Sequence, residues 1–150
     1  MSIYLLNFRY ASIIPTLIPH TAVKDTTLGG YDIPAKTIIL PNVWHLHHNQ
    51  ELWKDPFKFD PERFLDEDGM LVDVDHRNRK NLLPFGAGRR VCPGEVLARN
   101  RMFLIVTSLL QNYKFKEIPG KQPVDDPREY EFGEPMRPKA YKLRAEKRNR

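Results

Sequence analysis

Residues 81–95 read NLLPFGAGRRVCPGE and hold Cys92, the only cysteine of the 150-residue chain. Gly86, Gly88 and Gly94 punctuate the stretch, Pro93 follows the sulfur, and Arg89 and Arg90 lie just before it. Glycine permits tight turns and the close approach of something bulky. Proline has no amide hydrogen and suits the first turn of a helix. A thiol at a helix start meets free amide hydrogens and the macrodipole, both of which favour an anion, and the arginines add positive potential. As bare chemistry, the stretch presents a held thiolate to a flat or large partner. A small buried hydrophobe, the commonest use of a free cysteine, is the competing reading.

Downstream, residues 95–113 carry the clearest helical pattern. Val96, Leu97, Phe103, Leu104, Val106, Leu109 and Leu110 give it a broad apolar face, and its second half is apolar nearly all round, which predicts a buried helix. Pro119-Gly120 ends that region, and REYEFGEPMRPKAYKL (128–143) reads as two short strands about Gly133-Glu134-Pro135. Upstream, residues 65–90 show little periodicity. A structureless loop of that length inside a domain is usually functional or disordered, and its end in the cysteine stretch favours function. Before it, Asp60-Pro61-Glu62-Arg63-Phe64 reads as one helical turn, with the carboxylate as cap and proline where no amide hydrogen is needed. A further turn is expected after Asn42, a hairpin about Gly29-Gly30, and a β-rich stretch over 37–40. Residues up to Tyr10 read as the end of a helix, and 13–18 as extended.

The whole chain fits one unit with a modest core, 41% hydrophobic and 29% charged. Thirteen prolines, nearly twice the usual ~5%, predict long irregular segments. The net charge of +5 is concentrated at one end: residues 137–150 hold seven basic residues against Glu146. Such a tail is most simply a solvated end. A single cysteine excludes an internal disulfide and a self-contained cysteine-rich zinc site. No apolar run approaches the ~20 residues needed to span a bilayer, and the N-terminus lacks the basic start of a signal peptide. Nothing in the chain is expected to anchor or export it.

The segment PFGAGRRVCPGE resembles the haem-binding loop of the cytochrome P-450 family, Phe-x-x-Gly-x-Arg-x-Cys-x-Gly, at Phe85, Gly88, Arg90, Cys92 and Gly94. Five such matches at ~5% each would arise by chance roughly 4 × 10⁻⁵ times in a chain of this size, so the buried-thiol reading recedes. DPFKFDPERFL is similar to the family's Pro-Glu-Arg-Phe segment at 61–64, and the winding stretch after it resembles the family's meander. IIPTLIPH followed by GGYDIPAKT resembles animal microsomal members, steroid and aryl-hydrocarbon hydroxylases among them. The likeness runs from about Arg9 to Lys142, roughly the last third of a full-length member.

The resemblance implies a mainly α fold with small β-sheets: the family's C-terminal part with its meander, cysteine loop and a buried helix after the cysteine, as one partial domain with a basic tail at 137–150. It implies haem b as cofactor, with Cys92 as the axial thiolate on iron, pushing electron density that favours O–O cleavage. Arg90 and His20 would meet the two propionates, Phe85 would pack beside the sulfur, and Gly86, Gly88 and Gly94 would let the loop lie against the porphyrin. The implied activity is monooxygenation of a small lipophilic substrate, steroid-like or aromatic. Its electrons would come from NADPH through a flavoprotein reductase docked on Arg89, Arg99 and Arg101. Residues 12–17 and 130–134 resemble substrate-contacting positions. The family's microsomal members sit on the cytosolic face of the endoplasmic reticulum membrane, held by an N-terminal helix; the oxygen-activating helix and most of the cavity would also precede this chain.

One departure stands out. Arg63 resembles the arginine that joins a Glu-x-x-Arg pair, which should fall at positions 6 and 9. Arg9 is present, but position 6 is Leu6, so two arginines should meet without their carboxylate. A truncated, non-catalytic product is one alternative reading. A haem-sensing binder, suggested by the Cys-Pro dipeptide, is another. A nucleic-acid or lipid binder acting through the basic tail is a third, though that tail offers only Tyr141 for stacking. His45, His47 and His48 in HLHH lack a carboxylate or cysteine at ligand spacing and read as surface histidines on a turn.

Overall fold

A computed structural model describes residues 2–121, 123–133 and 135–149. The chain opens with helix α1 (Ser2–Ala11), whose Leu5, Leu6, Phe8, Arg9 and Tyr10 are buried. The helix ends at Ser12, which takes a left-handed φ of 37°. Its hydroxyl donates to Arg9 O at 2.7 Å, holding one of the carbonyls that a helix end leaves open. The chain then runs extended, as expected, and Thr16 bridges Asn42.

Small antiparallel pairs follow. Strand β1 (His20–Thr21) pairs with β4 (Ile38–Ile39), and between them β2 (Thr26–Leu28) and β3 (Tyr31–Ile33) form a hairpin. Gly29 and Gly30 turn that hairpin with φ of 59° and 86°, the positive pair that its two-residue turn demands. Helix α2 (Val43–His48) starts where Asn42 accepts the His45 N–H at 2.8 Å. Asp60 likewise caps a 3₁₀ turn, Pro61–Phe64, accepting the Glu62 N–H at 3.1 Å. Short side chains that accept backbone N–H groups explain why both turns were readable.

The long aperiodic stretch is ordered by polar staples. Asn78 donates to Arg63 O at 2.7 Å, Arg79 to Val72 O at 3.3 Å, and Arg77 to Glu51 O at 2.7 Å. It contains a four-residue helix, α3 (Arg77–Lys80), capped by His76, that hydrophobic periodicity could not reveal because none of its residues is buried. The core forms where α1 meets this stretch: Leu6 and Phe64 are sealed, and Trp53, Val72 and Leu82 close around them. The Trp53 indole N–H donates to Leu46 O at 2.9 Å, so the largest core ring carries no unpaired donor.

Helix α4 (Glu95–Asn112) matches the expected helix within a residue, but its burial requires correction. None of its residues is buried, and Val96 is 71% exposed. An apolar surface fixes where a helix needs a partner layer, and among the described residues α4 meets the core only through its first half, as far as Met102. Past α4 the chain forms strand β5 (Tyr113–Glu117), paired antiparallel with β6 (Leu143–Lys147). This sheet was not anticipated, and it takes five residues of the basic tail into a strand. The pair expected about Gly133 reduces to a single bridge between Glu131 and Arg137; Glu134 lies outside the described residues.

Candidate functional site

An open cavity of about 650 Å³ lies between the extended segment after α1 and the cysteine loop. That volume lies within the ~300–1,000 Å³ typical of small-molecule and cofactor sites. Cys92, Arg90, His20, Phe85 and Gly86 all border it, so five of the seven sequence-named binding residues converge although up to 72 positions separate them. Gly88 and Gly94 do not border it. Gly88 opens the 3₁₀ turn Gly88–Arg90, and Gly94 is the cap residue of α4.

The loop is shaped by its own backbone. Cys92 N–H donates to Phe85 O at 2.9 Å, Gly86 N–H to Leu83 O at 3.1 Å, and Val91 N–H to Gly88 O at 3.2 Å. Gly86 has φ of 77°, and a Cβ there would come within 3.3 Å of Leu17 Cδ1. Glycine is therefore required twice, for conformation and for room. The sulfur is left exposed towards the cavity, three residues before α4 begins.

The cavity's chemistry suits a flat apolar ring with anionic edges. Phe8, Ile13, Ile14, Leu17, Ile18 and Val43 give apolar walls. Arg90 is exposed and has no acidic partner among the described residues, so its charge remains available. A thiolate donor, an uncommitted cation, an imidazole and a glycine cradle together match the donor set that haem requires. Of residues 12–17, Ile13, Ile14 and Leu17 face the cavity with apolar side chains; Ser12 borders it too, but its hydroxyl is already spent. Residues 130–133 do not border it.

Phe85 is braced from behind. Its ring centroid is 5.1 Å from that of Phe8, edge-on. The Arg99 guanidinium stands 5.1 Å from the Phe85 ring and 5.5 Å from the Phe8 ring, with its Nε 2.7 Å from Glu95 Oε1. Arg99 is thus held by cation–π and ionic contacts while staying partly exposed. Arg89 and Arg101 remain exposed.

Deeper in, neither Arg9 nor Arg63 has a carboxylate partner among the described residues, but only Arg9 is buried and Arg63 is half-buried. Arg9 is fully buried, donating to His47 O at 2.6 Å and Pro56 O at 2.7 Å, with its guanidinium 5.0 Å from the Trp53 ring. Arg63 donates to the carbonyls of Lys54, Asp55 and Lys58. Both Nε atoms are buried without a partner. Burial and then the Arg63 charge pull the Arg9 guanidinium down to about 10. Carbonyl dipoles partly replace the missing carboxylate, and the two Nε atoms mark what is left unsatisfied.

Of the three histidines expected on the surface, His45 is exposed and the other two are not. His47 and His48 are buried, not surface residues; the His47 ring hydrogen-bonds Ser12 and Leu83, and the His48 ring lies between Trp44 and Phe57. Their i+3 and i+4 spacing from Trp44, which puts all three on one face of α2, was the one signal available, and a six-residue helix is too short to show periodicity.

A cysteine loop whose sulfur borders one apolar cavity together with Arg90 and His20 is an arrangement that a thiolate-ligated haem would fit. The family model described as Cytochrome P450 matches residues 7–145, and the chain belongs to the cytochrome P450 family. It is 44% identical over 143 residues to cytochrome P450 1A1 of Sparus aurata, covering 95% of this chain and 26% of that protein. It is 43% identical over 135 residues to steroid 17-alpha-hydroxylase/17,20 lyase of Squalus acanthias, covering 90% and 26%. A zebra fish cytochrome P450 solved with abiraterone superposes with a TM-score of 0.80 at 35% identity, covering 97% of this chain and 32% of that one. The chain therefore spans about a quarter of the length of the curated relatives it matches.

Proposed function

We propose that this chain forms the haem-holding part of a monooxygenase, with Cys92 as the axial ligand of haem b. The observation that carries the reading is the convergence of Cys92, Arg90 and His20 on one apolar cavity. When bound, a thiolate-ligated haem supplies activation of O₂ for insertion of one oxygen atom into an organic substrate. The chain's own residues do the holding. Cys92 offers sulfur from a loop whose Phe85 carbonyl is already engaged, Arg90 and His20 receive the two propionates, and Gly86 gives the ring room. Ile13, Ile14, Leu17 and Ile18 exclude water and favour a lipophilic molecule, steroid-like or aromatic, in line with the names of its steroid-hydroxylase relative and of a zebra fish neighbour solved with progesterone.

Electrons reach such a site from NADPH through a flavoprotein reductase, and Arg89, Arg99 and Arg101, which flank Cys92 in sequence and are exposed or partly exposed, can steer an acidic partner. Residence at the endoplasmic reticulum, facing the cytosol, is the placement that the resemblance to microsomal members of the family suggests; among the described residues no helix is long and apolar enough to cross a membrane.

Titration with ferric haem tests the site. The chain should bind with an affinity that falls at least tenfold in Cys92→Ala and about three- to tenfold in Arg90→Ala and His20→Ala, matching loss of a ligand and of single charge-assisted contacts. Equal affinity in all four proteins would refute the assignment.

A further inference from the structure

His47 borders the cavity yet is fully buried, and it belongs to none of the holding groups above. Its ring roles follow from its neighbours. Leu83 N–H lies 3.0 Å from His47 Nε2, and a backbone amide only donates, so Nε2 accepts. The ring proton therefore sits on Nδ1, which donates to Ser12 Oγ at 2.8 Å, and the Ser12 hydroxyl passes its own proton to Arg9 O at 2.7 Å. Arg9 closes the circuit by donating to His47 O at 2.6 Å. Burial, with the His48 and Arg9 charges, pushes the imidazole down to about 3, in keeping with a neutral ring between these partners.

The far end of this relay is the cysteine loop. Pro84 has no amide hydrogen to offer, so the anchor falls on Leu83. Leu83 O then accepts from Gly86, and Phe85 O accepts from Cys92. Along this side of the loop, α1 and α2 reach the sulfur's backbone through His47.

We propose that His47 is a positioning residue for the cysteine loop, fixing through Leu83 and Ser12 where Cys92 sits relative to α1 and the cavity. The relay is built only from contacts of this chain, while its consequence for haem rests on Cys92 being the ligand. Losing the Leu83 anchor frees the loop to shift along the cavity without removing any holding group. A sulfur displaced by even an ångström meets a bound ring less well.

The test uses the whole chain without haem and with it. His47→Asn keeps a donor near the Nδ1 position and loses the acceptor for Leu83; His47→Gln places a side-chain oxygen near Nε2 and keeps that acceptor. Amide hydrogen exchange in the haem-free chain should quicken about tenfold at Leu83 and Cys92 in His47→Asn, with β5 and β6 unchanged, and return towards the parent in His47→Gln. Ser12→Ala, which leaves the ring in place, should give a smaller increase at the same two amides. With haem, reduction and carbon monoxide, the strongly red-shifted fraction of the Soret absorption should fall by half or more in His47→Asn and be retained in His47→Gln. Unchanged exchange at Leu83 and Cys92 would overturn the proposal, as would equal behaviour of Asn and Gln or uniform loosening of every amide. A parent chain lacking any red-shifted band would sink the haem assignment instead, and the exchange measurements would still decide the role of His47.

Discussion

Phe64 and Leu104 are both large apolar side chains, yet the first is sealed in the core and the second is 61% exposed. Around Phe64, helix α1 brings Leu5, Leu6 and Phe8 against Trp53, Val72 and Leu82, and polar staples from Asn78, Arg77 and Arg79 hold the irregular chain in place. Around Leu104, helix α4 leaves Phe103, Leu104, Ile105, Leu109 and Leu110 exposed, and of this stretch only Met102 packs on the core among the described residues. The comparison teaches that stability here lives between α1 and the meander, while α4 contributes mainly through its first turns, where Arg99 braces Phe85. The cysteine loop sits at the junction of the two regions, held by the first and continuous with the second.

The comparison breaks if core and α4 respond alike to substitution. Trp53→Ala or Phe64→Ala should cost about 3–5 kcal/mol, read as a lowered urea midpoint. Loss of less than about 1 kcal/mol at either site would place the stable core elsewhere.

Acid sharpens the same picture. The folded imidazole of His47 titrates at about 3 against an ordinary value near 6.5, so the unfolded chain binds a proton that the folded chain does not. Its contribution is fully present above pH 6.5 and falls by up to about 1.4 kcal/mol per pH unit below that, towards pH 3. Burial lowers His48 as well, which adds in the same direction. Urea midpoints measured from pH 7.5 to pH 4 should decline, and His47→Gln should decline less steeply; parallel profiles would remove His47 from this account.

Next in size is the arginine pair. Leu6 lies one helical turn before Arg9, so Leu6→Glu brings a carboxylate to the two unpaired Nε atoms. It should raise stability by about 1–3 kcal/mol, where Leu6→Ala lowers it. A destabilised Leu6→Glu chain would show that carbonyl partners already satisfy Arg9 and Arg63. The smallest effect is expected on the bare face of α4: Leu104→Ala and Ile105→Ala should each stay within about 0.5 kcal/mol of the parent.

Much of this was legible in the residues. Asn42 and Asp60 announced their turns because a short side chain accepting a backbone N–H is a local device, written within three positions. Gly86 and Cys92 were legible for the same reason, since the loop's shape is set by its own backbone bonds. Two things were not. The β5–β6 sheet joins strands that do alternate apolar with polar residues (Tyr113-Lys114-Phe115-Lys116 and Leu143-Arg144-Ala145-Glu146), but the first runs straight on from α4, and Pro119-Gly120 and a long irregular stretch separate it from its partner. The burial of His47 and His48 depends on Ser12 and Phe57, partners 35 and nine residues away, which no window around HLHH contains. The bare face of α4 shows the complementary limit: apolar character is a property of the segment, whereas burial belongs to whatever lies against it.

The central claim is that Cys92 holds haem through sulfur. The direct measurement is the absorption spectrum of the haem-loaded chain after reduction and addition of carbon monoxide, recorded beside Cys92→Ala. A strongly red-shifted Soret band that disappears in the variant is the predicted result. A Soret band at the same position in both proteins would contradict it.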